Sequence, residues 1–242
     1  MSVRARLAAT AGLVVLVDPS RTPPAAAEAL AQRAAAEGAA ALLVGNSFGA
    51  AGDAAAVARA LRAGAPELPL LQFPASAADL VPDVDAVLLL SLVSGRNAQY
   101  LIEEHVRAVP FFDRHPEVEA ISTAYCLVDG GTVTAVESAS QTRPLPADKP
   151  EFVAAHVRAA TLIGMEAVYL DAGSGAARAV GPELIRAARE AARGPLFVGG
   201  GVRDASAVRR ARDAGADFVV VGTLLEQAGA QAVARLAGAA RA

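Results

Sequence analysis

The sequence has few of the residues from which disulfides, metal clusters and nucleic-acid surfaces are built. It contains one cysteine, Cys126, which excludes an internal disulfide and a thiolate metal cluster. It has no tryptophan, 4% aromatic residues and a formal net charge of −3, so it lacks the basic surface of a nucleic-acid-binding protein. No apolar run approaches the roughly 20 residues of a membrane span. We expect a cytoplasmic protein without a transmembrane segment and without a nucleic-acid partner.

What the sequence does contain is an alternation of short apolar runs with helical segments. Hydrophobic residues make up 54% of its 242 residues, enough for a large core. Near-continuous apolar runs of about four to eight residues are typical of parallel strands buried on both faces. The runs are residues 13–17, 41–44, 68–73, 86–90, 121–128, 167–170, 196–198 and 218–221. This pattern predicts an α/β fold, a single (β/α)8 TIM barrel over residues 1–242.

Several connections depart from the regular alternation. Residues 74–84 are too few, and too rich in proline at their ends, for a full helix after the third strand. Residues 129–132 predict a tight turn that leads into a short strand at 133–136. The helix after the fourth strand is expected over 97–107, before Pro110, and one last helix over about 225–236.

Glycines follow the last strands, at the end of a barrel where substrates bind. Gly199, Gly200 and Gly201 end the seventh strand, and Gly222 with Thr223 ends the eighth. Glycines let backbone N–H groups approach an anion closely, and barrels commonly hold phosphate at these two loops. A single glycine turn would indicate only a tight strand-to-helix connection. Three adjacent glycines with a second glycine turn beside them favour a phosphate site.

Oxygen-bearing side chains lie at other strand ends. Asp18 and Ser47 follow the first two strands and are the kind of ligands that Mg²⁺ takes, although Asp18 could equally cap the turn before Pro19. Asp171, between the sixth strand and a Gly-Ser-Gly loop, could act as a general base, bind a substrate hydroxyl or cap the loop amides. His105 and His156 are expected to face solvent, so we predict no histidine metal site.

The motifs, taken in order, resemble the geranylgeranylglyceryl phosphate synthase and heptaprenylglyceryl phosphate synthase family over nearly the whole chain. The most specific of them is the Tyr-Leu-acidic-Ala-Gly-Ser-Gly stretch at 169–175. The others are Leu16-Val17-Asp18-Pro19, Leu43-Val44-Gly45-Asn46-Ser47, the Phe-Pro ending of 70–74, residues 85–92, 198–203 and 215–222. The resemblance implies a modified barrel whose third helix is replaced by a short irregular segment. It also implies Mg²⁺-dependent transfer of a prenyl group from a polyprenyl diphosphate to the 3-hydroxyl of sn-glycerol 1-phosphate.

The resemblance also assigns roles to residues. Asp18 and Ser47 would hold Mg²⁺ and through it the diphosphate, with Arg21 supplying a further positive charge, and Asp18 and Asp171 would be the catalytic residues. The prenyl tail would lie in a groove left by the missing helix, lined by Leu88, Leu92, Val93 and Tyr100. The glycerol phosphate would be held by Tyr169, Leu170, Ala172, Gly173, Ser174, Gly175, Gly200, Gly201, Gly222 and Thr223. The family further implies a homo-oligomer, with a dimer favoured, and allows transient contact with a membrane surface.

The chain departs from the family pattern at positions in both predicted substrate sites. Arg21 stands where the family usually has a lysine, and Asp171 is one methylene shorter than the family's glutamate. The other changed positions are Asn46, Ser94 and Thr223.

These changes leave other functions open. One alternative is prenyl transfer to 3-phosphoglycerate, whose carboxylate would require an added cation such as Arg178 or Arg203. Another is a prenyl diphosphate lyase or cyclase that uses water or no acceptor, and a third is a non-catalytic phosphate-binding barrel.

Overall fold

The computed structural model describes residues 1–45, 53–229 and 231–241, and in them eight parallel strands close into a barrel in sequence order. The barrel closes where β1 pairs with β8, for example at Val15 and Val221. The strands are β1 (Gly12–Val17), β2 (Ala41–Gly45), β3 (Leu70–Phe73), β4 (Ala86–Leu92), β5 (Glu119–Leu127), β6 (Ala167–Asp171), β7 (Leu196–Gly199) and β8 (Phe218–Val221). The predicted barrel is confirmed, and each of the eight apolar runs predicted as barrel strands overlaps an observed strand.

Helices cover the outside of the barrel and one end of it. They are α1 (Val3–Ala9), α2 (Pro24–Ala36), α3 (Ala54–Gly64), α4 (Glu104–Arg114), α5 (Ala135–Ser140), α6 (Pro150–Leu162), α7 (Pro182–Ala191), α8 (Ala205–Asp213), α9 (Thr223–Ala228) and α10 (Gln231–Arg241). A single π-helical turn, Gln99–Glu103, leads directly into α4. Over the described ranges, no helix has the length and apolar character needed to cross a bilayer.

Two packed layers form the core, one inside the barrel and one between strands and helices. Inside, Phe197 stacks on Phe218 with ring centroids 4.7 Å apart, and Tyr125 and Tyr169 lie nearer the carboxyl ends of the strands. Leu7 of α1 packs into this layer, so α1 closes the opposite end of the barrel. The inner layer is therefore filled by side chains, and space for a ligand remains at the carboxyl ends.

The third helix of a regular barrel is absent, as the resemblance implied. After β3 the chain forms only one 3₁₀ turn, Ala77–Asp79, before β4 begins. The buried side chain of Gln72 holds this short segment by two hydrogen bonds. Its Nε2 donates to the carbonyl of Asp79 at 2.7 Å, and its Oε1 accepts from the N–H of Val81 at 3.1 Å.

Three sequence-based predictions of local structure were wrong. Residues 133–136 form no strand, because the hydroxyl of Thr134 caps α5 by accepting from the N–H of Glu137. The helix after β4 continues through Pro110, because Ala108 and Phe111 are buried on the face beside the proline. The last helix is divided into α9 and α10 near Gly229, whose φ of +70° is incompatible with a continuous helix.

Candidate active site

A cavity of about 650 Å³ opens at the carboxyl ends of the strands and continues to the side of the barrel. Its mouth is polar, with Asp18 on one side and Asp171 on the other. Its inner part is apolar and passes between β4 and the residues that replace the third helix. Both carboxylates that the sequence singled out therefore lie in the wall of the same cavity.

Asp171 is buried at the end of β6 and is held by two donors. The hydroxyl of Tyr125 donates to its Oδ2 at 2.6 Å, and the N–H of Gly173 donates to its Oδ1 at 2.8 Å. Burial raises the pKa of Asp171 above its ordinary value, and the two hydrogen bonds only partly oppose this shift. The capping role that the sequence left open is therefore present, and it leaves a carboxylate that accepts a proton more readily than an exposed one.

The glycines beside Asp171 are required by the backbone and by the space available. Gly200 and Gly201 have φ of +79° and +66°, in the left-handed region that side chains disfavour. A Cβ on Gly200 would lie 2.5 Å from Oδ1 of Asp171, and one on Gly199 would lie 2.5 Å from the hydroxyl oxygen of Tyr169. The loops after β6 and β8 meet at Ser174 and Thr223, whose hydroxyl oxygens are 3.5 Å apart.

Most of the residues predicted to bind phosphate line the cavity, and three do not. Leu170 and Ala172 point into the layer between strands and helices, and the N–H of Ala172 donates to the carbonyl of Gly199. The N–H of Gly173 is engaged by Asp171, so these three have no group turned to a ligand. The predicted residues on the cavity wall are Tyr169, Ser174, Gly175, Gly200, Gly201, Gly222 and Thr223.

Asp18 lies on the other side of the cavity mouth from Asp171, and one of its carboxylate oxygens is hydrogen-bonded to Ser20. Its Oδ1 accepts from the N–H of Ser20 at 2.8 Å and from the hydroxyl of Ser20 at 2.6 Å, so the turn role left open by the sequence is also present. Its Oδ2 is 3.8 Å from Nε of Arg21. Nη1 of Arg21 donates to Glu226 at 3.2 Å. Ser47 and Asn46 lie outside the described residues.

This arrangement suits Mg²⁺ better than a metal that needs many protein ligands. No cluster of three His, Cys, Asp or Glu side chains occurs among the residues that the structure describes. Mg²⁺ commonly takes one or two carboxylates and completes its octahedron with water and ligand phosphate. The exposed side of the buried Asp18 carboxylate, at the mouth of a cavity, can supply such a ligand.

The apolar part of the cavity is a channel beside β4. The channel residues lie on β3, on β4, in the segment after β3 and on the helices that face it; among them are Phe73, Leu80, Leu89, Leu90, Leu92, Tyr100, Ala108 and Val136. The predictions for Leu92 and Tyr100 agree with this lining, whereas those for Leu88 and Val93 were wrong. Leu88 is fully buried one layer deeper in the barrel, and Val93 packs on the outer core. Leu89, which points to the opposite side of the strand from Leu88, faces the channel instead.

His105 also reaches the cavity, contrary to the expectation that it faces solvent. Its Nε2 lies 2.9 Å from the carbonyl of Leu90 and 3.3 Å from the hydroxyl of Ser91, so it joins α4 to β4. Ser94, one of the positions that depart from the family pattern, has a structural contact. Its hydroxyl accepts from the N–H of Leu127 at 3.0 Å.

Two further charged or polar side chains at the site, Tyr125 and Glu226, were not predicted from the sequence. The signal for Tyr125 was present, because the alternation of β5 turns it into the barrel, where its register partner on β6 is Tyr169. Glu226 lies in the short α9, on a surface that sequence periodicity does not distinguish from solvent.

Comparisons with known proteins agree with this geometry. A model of the PcrB family matches residues 6–239. The chain belongs to this family. A geranylgeranylglyceryl phosphate synthase of Methanothrix thermoacetophila is 41% identical over 220 residues, which are 89% of this chain and 84% of that protein. One of Cenarchaeum symbiosum is 40% identical over 230 residues, which are 94% of this chain and 91% of that protein.

The PcrB-family fold is also found in solved structures. The crystal structure of (S)-3-O-geranylgeranylglyceryl phosphate synthase from Thermoplasma acidophilum, in complex with its substrate sn-glycerol-1-phosphate, superposes with a TM-score of 0.91 at 26% identity. The match covers 99% of this chain and 98% of that one. The family resemblance inferred from the motifs is confirmed, and so is the prediction of an enzyme of the prenyltransferase class.

Proposed function

We propose that this protein transfers a prenyl group from a polyprenyl diphosphate to the 3-hydroxyl of sn-glycerol 1-phosphate, with Mg²⁺ bound at the diphosphate. The observation that carries the proposal is the continuity of the cavity. A polar mouth, with Asp18 on one side and the glycine loops after β7 and β8 on the other, leads into one apolar channel. A molecule with a charged head and a long hydrocarbon tail matches this division, and a small polar acceptor fits the other side of the mouth.

The donor head is assigned to the Asp18 side. Asp18 would hold Mg²⁺ through the oxygen that Ser20 leaves free, and Arg21 would contact the diphosphate directly. Mg²⁺ supplies charge neutralisation to the departing diphosphate. Arg21 is half exposed and already lies beside Asp18 and Glu226, so a diphosphate at the mouth can become its third partner.

The acceptor is assigned to the glycine side. Gly200, Gly201 and Gly222 can bring backbone N–H groups close to a phosphate because they have no side chain, and Thr223 adds a hydroxyl beside them. Asp171, on the glycine side of the mouth, would take the proton of the attacking hydroxyl. In this step the carbon–oxygen bond to the diphosphate breaks, a carbon–oxygen bond to glycerol phosphate forms, and the proton moves to Asp171.

Two contacts favour glycerol phosphate over 3-phosphoglycerate as acceptor. Arg178 is paired with Asp129 at 3.6 Å and does not line the cavity. Arg203 does line it, but its Nη2 donates to the carbonyl of Ala176 at 3.0 Å. Of the two arginines only Arg203 could therefore pair with the additional carboxylate of 3-phosphoglycerate, which would also face the carboxylate of Asp171, and burial of like charges is costly.

A matrix of donors and acceptors tests the proposal. Purified protein with Mg²⁺ would be incubated with geranylgeranyl, heptaprenyl or farnesyl diphosphate and with sn-glycerol 1-phosphate or 3-phosphoglycerate, and the products identified by mass spectrometry. We expect a prenylglyceryl phosphate ether that disappears when EDTA replaces Mg²⁺. Product from 3-phosphoglycerate alone, or a free prenyl alcohol or hydrocarbon, would replace the proposal with one of the alternatives.

A further inference from the structure

One wall of the apolar channel contains a carboxylate, that of Glu104 at the start of α4. The Glu104 side chain is only 13% exposed and lies on the cavity lining, next to residues of the prenyl channel. A charged group in such surroundings is retained only when donors surround it. The mechanism proposed above does not use Glu104, which lies in the channel wall and not among the residues of the polar mouth.

The hydrogen-bond donors to Glu104 come from three parts of the chain around the channel, one before β4 and two after it. The backbone N–H of Ala77 donates to Oε2 at 2.7 Å, Nε2 of Gln99 donates to Oε1 at 3.2 Å, and Nη1 of Arg107 donates to Oε1 at 3.0 Å. Ala77 belongs to the segment that replaces the third helix, Gln99 to the π-helical turn, and Arg107 to α4. One side chain therefore joins two walls of the channel that no strand pairing or continuous helix connects.

The bond to Ala77 is important because the segment 74–81 has few other anchors. The carboxyl-terminal end of the segment is held by Gln72, which is hydrogen-bonded to the backbone of Asp79 and Val81. Ser76 and Asp79 bond to each other within the segment. Pro74, Ala75, Ser76, Ala77 and Leu80 of this segment line the cavity. Glu104 is the side chain that holds the cavity-facing end of the segment to the opposite wall.

We propose that Glu104 is a positioning residue that fixes the width of the prenyl channel by fastening segment 74–81 to α4 and to the π-helical turn. An apolar residue at this position would fill space but would leave the N–H of Ala77 without a partner in the channel wall. The effect on the segment follows from the contacts alone. The effect on the donor rests on the proposed function.

The first test measures the segment itself. Hydrogen–deuterium exchange of peptides covering 74–81 should increase at least about tenfold in Glu104→Ala, because one charge-assisted hydrogen bond is lost. Glu104→Gln retains an oxygen acceptor of the same reach and should remain within about threefold of wild type. The matched control is Glu103→Ala at the end of the adjoining π-helical turn, where the side chain is 53% exposed. Exchange over 74–81 should not change in this variant. Unchanged exchange in Glu104→Ala would overturn the proposal.

The second test measures KM for prenyl diphosphates of different length. In Glu104→Ala we expect KM for geranylgeranyl diphosphate to rise about tenfold. The KM for dimethylallyl diphosphate, which is too short to lie along the channel, and the KM for sn-glycerol 1-phosphate should stay within about twofold, as should kcat. An equal rise for the short and the long donor would overturn the assignment to the channel. A wild type without transferase activity, combined with increased exchange in Glu104→Ala, would overturn the proposed function and leave the positioning role supported.

A second variant, at the hydrogen-bond donor Ala77, keeps the test valid if Glu104→Ala misfolds. Ala77→Pro removes only the N–H that Glu104 accepts, at the first position of the 3₁₀ turn, where proline is tolerated. The preceding Ser76 already has the extended backbone that proline requires, with φ −152° and ψ 167°. Ala77→Pro should reproduce the KM change, and the double variant should be no worse than either single one. Additive effects of the two changes would contradict the proposed contact.

Discussion

The hydroxyl of Tyr125 and the carboxylate of Asp171 form a hydrogen bond of 2.6 Å across the inside of the barrel, from β5 to β6. Tyr125 is the side chain that the carboxylate of Asp171 contacts. Burial raises the pKa of both groups, and their interaction raises that of Tyr125 further. Tyr125 therefore stays protonated at neutral pH and serves as a fixed donor to the carboxylate.

Loss of the hydrogen bond from Tyr125 to Asp171 should shift the pH dependence of the reaction. In Tyr125→Phe the hydrogen bond that lowers the pKa of Asp171 is gone, so that pKa should rise further. Because Asp171 is proposed to act in its ionised form, the acidic limb of the log kcat/KM profile should move to higher pH. We expect a shift of about one unit, measured with saturating Mg²⁺. An acidic limb that stays in place would show that Asp171 is not the titrating base.

Replacement of Asp171 should separate stability from activity. Its pKa is raised in the folded state, so the folded protein binds the proton more tightly than the unfolded chain, in which the carboxyl has its ordinary pKa of 3.8. Stability is therefore lost as pH rises from near that value through the raised pKa, and above the raised pKa the full cost of the buried charge is present. Asp171→Asn has no such cost. Its Oδ1 can still accept from the N–H of Gly173, and its amide N–H can donate to the hydroxyl oxygen of Tyr125, in the reverse direction of the present bond. We expect it to lose transfer activity and to have a higher Tm than wild type at pH 7.

The pH series supplies the control for this prediction. Below the unfolded-state pKa of the carboxyl, both proteins carry a neutral side chain, and their Tm values should converge. A Tm for Asp171→Asn that lies below the wild-type value at pH 7 and does not approach it at low pH would contradict the assigned direction of the shift.

The barrel and the positions of its polar ends could be predicted from the sequence because both depend on local patterns. Buried parallel strands give unbroken apolar runs, and glycines with positive φ, such as Gly200, mark where those strands end. Which residues of a uniformly apolar strand face the barrel interior could not be predicted from residue type alone. Leu88 and Leu89 are the same residue type, yet one fills the barrel and the other faces the channel.

Contacts between distant segments could not be predicted in this way. His105 was expected in solvent because its helix is amphipathic, yet its Nε2 lies 2.9 Å from the carbonyl oxygen of Leu90 on β4. Similarly, Glu104 and Ala77 are 27 residues apart. Nothing in their local sequence indicates that they meet, because the meeting depends on how the helices pack around the barrel.

The glycine cradle, formed by Gly199, Gly200 and Gly201, provides a steric prediction. Gly200→Ala would place a Cβ at positive φ and 2.5 Å from both Oδ1 of Asp171 and the N–H nitrogen of Gly173. These neighbours are a fixed carboxylate and backbone, so they cannot yield without loss of the acceptor site. We expect KM for sn-glycerol 1-phosphate to rise at least about tenfold, with the KM of the donor changed much less.

A glycine elsewhere in the chain serves as the matched control. A Cβ added to Gly238, in α10, would meet no other part of the described structure within 4 Å. Gly238→Ala should leave both KM values unchanged and stabilise the protein by about 0.5–1 kcal/mol, because alanine favours the helix. If the two alanine variants have the same acceptor KM, the cradle does not bind the acceptor.

The Asp18 site provides a graded prediction. Asp18→Ala removes the carboxylate assigned to Mg²⁺ and should lower kcat/KM at least about a hundredfold, without recovery at high Mg²⁺. Ser20→Ala keeps the carboxylate but removes the hydroxyl that donates to Oδ1 at 2.6 Å, so the orientation of the ligand is weakened. We expect the Mg²⁺ concentration for half-maximal activity to rise about tenfold in Ser20→Ala, with kcat restored at saturation. Asp83→Ala, which removes a carboxylate paired with Arg59 outside this cavity, should leave the Mg²⁺ titration unchanged. Activity in Asp18→Ala with a normal Mg²⁺ dependence would place the metal elsewhere, and the pairing of Asp18 with Ser20 would then only shape the turn after β1.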